Sequence, residues 1–206
     1  MKQKGPPLYI KRSFDFLLGL ILLILSSPFF LIAVLIVKVY SPEAPVIFKQ
    51  ERIGYKNKPM IIFKLRSMTN IKDENGVLLP DEQRLKRWGK IIRKTNLDEI
   101  PQLLNIIKGE MSLIGPRPIL EKEMVVMNET EQIKRQSVIP GITGWEAVNE
   151  IKSGNRRQMV EYDLYYVDHW SLGFDLRICF ETAFIVLFNR RPADNIRAPK
   201  IENEKK

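Results

Sequence analysis

The strongest pattern in the chain is an uncharged apolar run from Phe16 to Val37. A single straight helix of about 20 such residues crosses the ~30 Å hydrocarbon core of a bilayer. A cleaved signal peptide fits less well, because its apolar part is usually ~7–15 residues long and no small-x-small site follows this run. Ser26-Ser27-Pro28 divides the run at its middle. Proline has no backbone donor and clashes with the preceding turn, so a kink or reversal is expected there. The arms Phe16–Leu25 and Phe29–Val37 each reach only about 15 Å at ~1.5 Å per residue, near the bilayer midplane. Basic residues stand on both sides: Lys2, Lys4, Lys11 and Arg12 before, Lys38, Lys49, Arg52, Lys56 and Lys58 after. Lys and Arg favour the cytoplasmic side of a membrane. Two basic flanks therefore predict a re-entrant helix-break-helix with Ser27 and Pro28 at the break. A spanning helix is the competing arrangement.

Beyond residue 40 the pattern becomes that of a small mixed domain. Val46-Ile47-Phe48 lies among turn residues and predicts a short strand, and Met60–Met68 predicts a second. Asn70–Asp81 is a polar loop. Its Asp73-Glu74-Asn75-Gly76 lacks the ligand alternation of a calcium loop and reads as a plain turn. Between Gln83 and Lys94, Leu85, Trp88, Ile91 and Ile92 form an apolar stripe, while Lys86, Arg87, Lys90, Arg93 and Lys94 fill the rest. That is a basic amphipathic helix, either packed on a core or lying on anionic lipid. Leu97, Ile100, Leu103, Leu104 and Ile107 predict the next helix, stopped at Gly109. Phe180, Ala183, Phe184, Leu187 and Phe188 predict a C-terminal one, preceded by Trp170 as an interface anchor. The expected class is α/β, mainly α: a membrane hairpin over 1–40, an interfacial catalytic domain with a few short strands over 41–188, and a polar tail over 189–206.

Composition narrows the chemistry. The chain has 206 residues, a formal charge of +9 and 45% hydrophobic residues, which excludes a disordered polymer. One cysteine, Cys179, and one histidine, His169, exclude a disulfide scaffold and make a His/Cys metal centre improbable. Hard, oxygen-ligated cations such as magnesium remain. The positive charge suits nucleic acid, an anionic membrane or phosphorylated substrates. The apolar run favours the membrane, and no groove-reading or base-stacking motif supports nucleic acid.

Four places carry candidate chemistry. Asp98-Glu99 sits at the start of a helical turn. Neighbouring carboxylates there diverge by about 100°, so one can face a substrate while the other holds a cation. A carboxylate can also attack phosphorus to give an acyl phosphate; the plainer role is to complement the helix dipole. Gly115-Pro116-Arg117-Pro118 fixes φ on both sides of an arginine and aims its guanidinium, as bidentate phosphate contact requires, or is an ordinary loop. Lys64 and Arg66 alternate with Phe63 and Leu65, so both charges share one strand face, either solvated or touching phosphate. Glu161-Tyr162-Asp163 adds a third acid near Tyr165 and Tyr166, with a helix surface as its ordinary reading. Pro140-Gly141-Ile142-Thr143-Gly144 lacks the endings of a P-loop or a dinucleotide fingerprint.

Taken together, these blocks resemble the bacterial sugar transferase family, the small monotopic phosphoglycosyl transferases. The likeness runs through Lys11-Arg12-Ser13-Phe14-Asp15, Phe63-Lys64-Leu65-Arg66-Ser67-Met68, Leu97-Asp98-Glu99-Ile100-Pro101-Gln102, Gly109–Pro118, Pro140–Trp145 and Tyr166–Leu172. The resemblance implies a two-step exchange. Asp98 attacks the sugar-bearing phosphate of a UDP-sugar and releases UMP. Undecaprenyl phosphate then takes the sugar phosphate from the enzyme and starts glycan assembly. It further implies that Glu99 binds Mg²⁺, that Arg117 contacts phosphate with Lys64, Arg66 and Asp163 as further substrate contacts, and that the protein sits on the inner membrane facing the cytoplasm, serving downstream glycosyltransferases. The chain departs from the family pattern in two places. Glu146-Ala147-Val148-Asn149-Glu150-Ile151 replaces Ala-Gln-Val-Asn-Gly-Arg after Trp145, and Ile139 stands where Arg commonly precedes the Pro-Gly turn. Altered donor recognition, with Arg156 or Arg157 substituting, is the expected consequence. A catalytically silent membrane scaffold is the alternative.

Overall fold

The structure, a computed structural model, describes residues 6–149 and 155–188; Glu150, Ile151 and the expected polar tail 189–206 lie outside the described residues. The fold is mainly helical with four short strands among the described residues, and divides into two compact units.

The unit of Ser13–Arg52 and Met60–Met111 holds most of helix α1 (Pro6–Tyr40), the paired strands β1 (Ile47–Ile53) and β2 (Pro59–Leu65), the short helices α2 (Asp81–Arg84) and α3 (Arg87–Lys94), a 3-10 turn at Leu97–Glu99 and α4 (Gln102–Lys108). Helix α1 is long and apolar enough to cross a membrane, and only 11% of its most apolar window is buried, so it is not the core helix of a soluble domain. It runs as one helix through Pro28, where the sequence predicts an interruption. The local reason is the serine pair. Pro28 has no N–H to give the Ile24 carbonyl, and the Ser27 hydroxyl donates to that carbonyl at 2.7 Å. The Ser26 hydroxyl donates to Leu23 in the same way at 3.4 Å.

Ala33 and Val37 of α1 bury themselves against Leu65 of β2 and Ile92 of α3, with Phe30, Val34, Trp88 and Leu97 around them. Nearer the N-terminus, Gly19 packs against Ile106 of α4. The basic helix starts at Arg87, four residues later than the pattern predicts. Thr69 takes the Arg84 carbonyl through its amide and its hydroxyl, while Arg84 Nε donates back to the Thr69 carbonyl, so that carbonyl is lost to the helix ladder. At Gly89 the helix passes so close to the Ser67 carbonyl that a Cβ would collide with it. Pro101 splits the next expected helix, and Gly109, at φ 87°, ends α4 as the sequence predicts.

The other unit, Met1–Arg12, Ile53–Pro59 and Ser112–Lys206, contains β3 (Ser112–Ile114), α5 (Glu129–Arg135), β4 (Gly141–Thr143), α6 (Trp145–Val148), α7 (Arg156–His169) and α8 (Leu172–Phe188). β3 and β4 pair in parallel, Ser112 opposite Gly141 and Ile114 opposite Thr143. A small core of Ile119, Met127 and Val160 closes against Ile53, Met124 and Leu164. α8 leaves Phe180, Phe184, Leu187 and Phe188 exposed.

Candidate active site

The Asp98-Glu99 turn is built from both sides. Asn96 adopts the left-handed conformation at φ 54°, which asparagine tolerates better than most residues, and launches the single turn Leu97–Glu99. Pro101 follows and cannot extend the ladder backwards. Both carboxylates are half-buried. Lys64, on β2, reaches Glu99 with Nζ 3.2 Å from Oε1. The Asp98 carboxyl is pushed above the usual carboxylate range, first by its burial and then by the negative charge of Glu99, while Lys64 and Arg93 pull it partly back. Two adjacent acids, with Asp98 held above its ordinary pKa by burial and by its neighbour, form a site that gains from a further positive charge. Among the described residues no group of three or more His, Cys, Asp or Glu could cage a metal. A pair of carboxylates that leaves most coordination positions to substrate phosphate is how Mg²⁺ is commonly held, so this donor set fits that ion.

Arg66 does not join this group. Its Nε donates to the Pro45 carbonyl at 2.7 Å and its Nη1 to Asn70 at 2.8 Å, and its guanidinium lies over the Phe48 ring. It fastens the end of β2 to the turns beside it. Alternation on a strand predicted that Lys64 and Arg66 share a face; which partners each would find was beyond that pattern.

Arg117 belongs to the second unit. Every residue from Met111 to Ile119 is buried except Arg117. The loop is locked by backbone pairing: the Gly115 amide donates to Thr143 at 2.9 Å and the Gly141 amide to Pro116 at 3.0 Å. A Cβ on Gly115, Gly141 or Gly144 would collide with the facing backbone. The glycines of Pro140–Gly144 thus serve close packing on the Gly115 loop, which explains why the two motifs occur together and neither need be a phosphate cradle.

Asp163 is 2% exposed and forms a buried ion pair with Arg135, at 2.7 Å to Nη2 and 2.9 Å to Nε. Burial raises its carboxyl above the ordinary range, against the opposing pull of Arg135. The helix-surface reading of this residue is therefore corrected: α7 turns it inward. Arg135, the last residue of α5, carries no motif in the sequence that marks it as the partner of Asp163. Arg156 is paired with Glu123 and Arg157 with Glu131 and Glu161, so both are engaged within their own unit. Glu146, one of the departures, is buried beside Trp145.

The family model for bacterial sugar transferases matches residues 7–189. The chain belongs to that family. Among its relatives is the uncharacterized sugar transferase EpsL of Bacillus subtilis (strain 168), 42% identical over 178 residues, covering 86% of this chain and 87% of EpsL. The exopolysaccharide production protein PSS of Rhizobium leguminosarum bv. phaseoli is 37% identical, covering 85% of this chain and 94% of the relative. The UDP-glucose:undecaprenyl-phosphate glucose-1-phosphate transferase of Escherichia coli (strain K12) is 36% identical over 88% of this chain, but that match spans only 41% of the relative's length. The match thus falls on less than half of that larger enzyme, as it does for the N-acetylgalactosaminephosphotransferase of Aeromonas hydrophila, at 44%.

Proposed function

We propose that this protein transfers a sugar 1-phosphate from a UDP-sugar to undecaprenyl phosphate through a covalent intermediate on Asp98. An Asp98 oxygen attacks the phosphorus that carries the sugar. The bond from that phosphorus to the bridging oxygen breaks, UMP leaves, and an acyl phosphate remains. A phosphate oxygen of undecaprenyl phosphate then attacks the same phosphorus, the aspartyl–phosphorus bond breaks, and Asp98 is regenerated. The observation that carries this reading is the half-buried Asp98 beside Glu99, with Lys64 on the Glu99 carboxylate. Desolvation strengthens a carboxylate nucleophile once it is ionised, and Lys64 offsets part of the burial and of the Glu99 charge that oppose ionisation. Glu99, with Asp98, would hold Mg²⁺, which would neutralise the diphosphate charge. Arg117, exposed on a rigid loop, offers a fixed guanidinium to phosphate.

The membrane geometry belongs to the same reading. Gly19 and Ala33 of α1 are buried, and no residue between them is. That stretch, residues 20–32, in which Phe30 is partly buried, is about 20 Å long at ~1.5 Å per residue, short of the ~30 Å of a bilayer core. Both of its ends pack on one unit, against Ile106 and against Leu65 with Ile92. A bend of this helix at Ser27-Pro28, where proline removes a ladder hydrogen bond, would let it dip into one leaflet of the inner membrane and keep both ends cytoplasmic, in keeping with this burial and the two basic flanks. A Tyr9→Cys variant labelled from outside intact cells would overturn it.

The test of function is UMP release in nanodiscs with Mg²⁺, undecaprenyl phosphate and a panel of UDP-sugars. Release with a particular donor, lost by at least about 10³-fold in Asp98→Asn, is expected. Release that survives Asp98→Asn removes the covalent route, and no release with any donor favours the silent scaffold.

A further inference from the structure

The backbone that carries Arg117 is held at both ends by buried charge. At the N-terminal end, Lys11 of α1, 2% exposed, donates from Nζ to the Ile114 carbonyl at 3.0 Å and to Asp175 Oδ2 at 2.7 Å. The Tyr166 hydroxyl lies 3.2 Å from the same Ile114 carbonyl and 2.7 Å from Asp175 Oδ1, and Trp170 Nε1 donates to Asp175 at 3.1 Å. At the C-terminal end, Arg135 Nη2 donates to the Arg117 carbonyl at 2.7 Å while also holding Asp163. Isolated buried charges are costly to desolvate and persist where well-made hydrogen bonds offset that cost. Here both pairs end on main-chain carbonyls of one short loop, Ile114 to Arg117, whose only exposed residue is Arg117.

From this we infer that Lys11 and Arg135 are positioning residues for Arg117, each backed by its acid, Asp175 and Asp163, and that the first turns of α1 thereby fix the loop. The inference rests on the reading of Arg117 as a phosphate contact. Lys11 stands five residues before the uncharged run begins, so the seat of the membrane helix in this unit and the aim of the Arg117 loop share one ion pair. Asp163 acts through Arg135 rather than on substrate. A misaimed guanidinium loses bidentate geometry before it loses charge, so the effect belongs in the affinity for the UDP-sugar.

Removing one partner leaves an uncompensated buried charge and risks unfolding, so the pairs are changed together: Arg135→Met with Asp163→Leu, and Lys11→Met with Asp175→Asn. Tyr166→Phe, which keeps both charges and the ring packing, serves where a double variant does not fold. Two readouts are taken on the full chain in nanodiscs, amide hydrogen exchange of the 112–119 segment and the KM for UDP-sugar against kcat. The expected result is faster exchange in 112–119, by about tenfold or more, with KM rising more than kcat falls and partial rescue by Arg135→Lys. In an Arg117→Ala background the same changes add no further rise in KM. Unchanged exchange in 112–119 overturns the inference. So does a rise in KM of equal size in the Arg117→Ala background, because the residues would then act elsewhere. If exchange quickens but Arg117→Ala alone leaves the KM for UDP-sugar unchanged, the positioning of the loop stands and the phosphate-contact reading of Arg117 fails.

Discussion

The Asp98-Glu99 turn and the Arg117 loop present their functional groups by opposite means. The turn has little backbone pairing: one 3-10 turn, a left-handed asparagine before it and a proline after it. Its character comes from charge, because the Asp98 carboxyl feels burial, a neighbouring acid and one ammonium at once. The loop has ladder hydrogen bonds on both sides, three glycines with no room for a side chain and buried ion pairs at each end. A nucleophile needs its ionisation tuned, and half-burial beside other charges does that. A phosphate-binding arginine is always charged, so only its aim remains to be set, and rigid backbone does that.

The comparison predicts different failures in the two places. Asp98→Asn should abolish turnover and at the same time stabilise the fold. A carboxyl whose folded pKa is raised contributes stability that is present below its unfolded value and lost as pH rises through the folded one. At neutral pH the ionised Asp98 therefore costs stability, and the neutral amide escapes that cost. A higher thermal midpoint for Asp98→Asn at pH 7.5, with the difference vanishing at acid pH, is the expected outcome. A lower midpoint would mean that the carboxylate is held by favourable contacts and is not a strained nucleophile.

Gly141→Ala should act in the opposite sense, disturbing structure first. A methyl group there meets the Gly115 amide and carbonyl and must push the two loops apart. Overpacking of this kind costs about 1–3 kcal/mol, several degrees in the thermal midpoint for a protein of this size. The UDP-sugar KM should rise with it. A Gly141→Ala protein as stable and as active as the parent would show that the loop is not rigid.

Much of this was legible in the residues, and the exceptions turn on individual side-chain contacts, some of them distant in sequence. Strands β1 and β2, the stop at Gly109 and the C-terminal helix follow from periodicity and turn chemistry, which are local, whereas the three-residue strands β3 and β4 carry no such pattern. The start of the basic helix was misplaced because Thr69, distant in sequence, captures the Arg84 carbonyl. The continuity of α1 through Pro28 depends on a hydroxyl one residue away satisfying the carbonyl that proline orphans, a detail that composition alone does not reveal. Within the candidate site, the strand pattern offered Lys64 only as a solvated or phosphate-touching residue, and its ion pair with Glu99 spans 35 residues of sequence. Arg135 and Lys11 were invisible as loop supports, since the contacts that define them span 18 and 103 residues of sequence.

The smallest effect and the sharpest test concern the charges around Asp98. The nucleophile must be ionised to attack, so kcat/KM should rise with pH through an acid limb that reports the Asp98 carboxyl of the free enzyme. Lys64 lowers that carboxyl and Glu99 raises it. Replacing Lys64 with Met should therefore move the limb to higher pH, and replacing Glu99 with Gln should move it to lower pH, at a fixed saturating Mg²⁺ concentration. The two variants thus separate in direction even where both lose absolute rate through weaker substrate binding. Movement of both limbs the same way, or of neither, would mean that another group controls the acid limb. Arg117 gives the contrast: its replacement by Ala should lower kcat/KM at every pH and leave the limb where it was, because a permanently charged group on a fixed loop binds substrate without tuning the nucleophile.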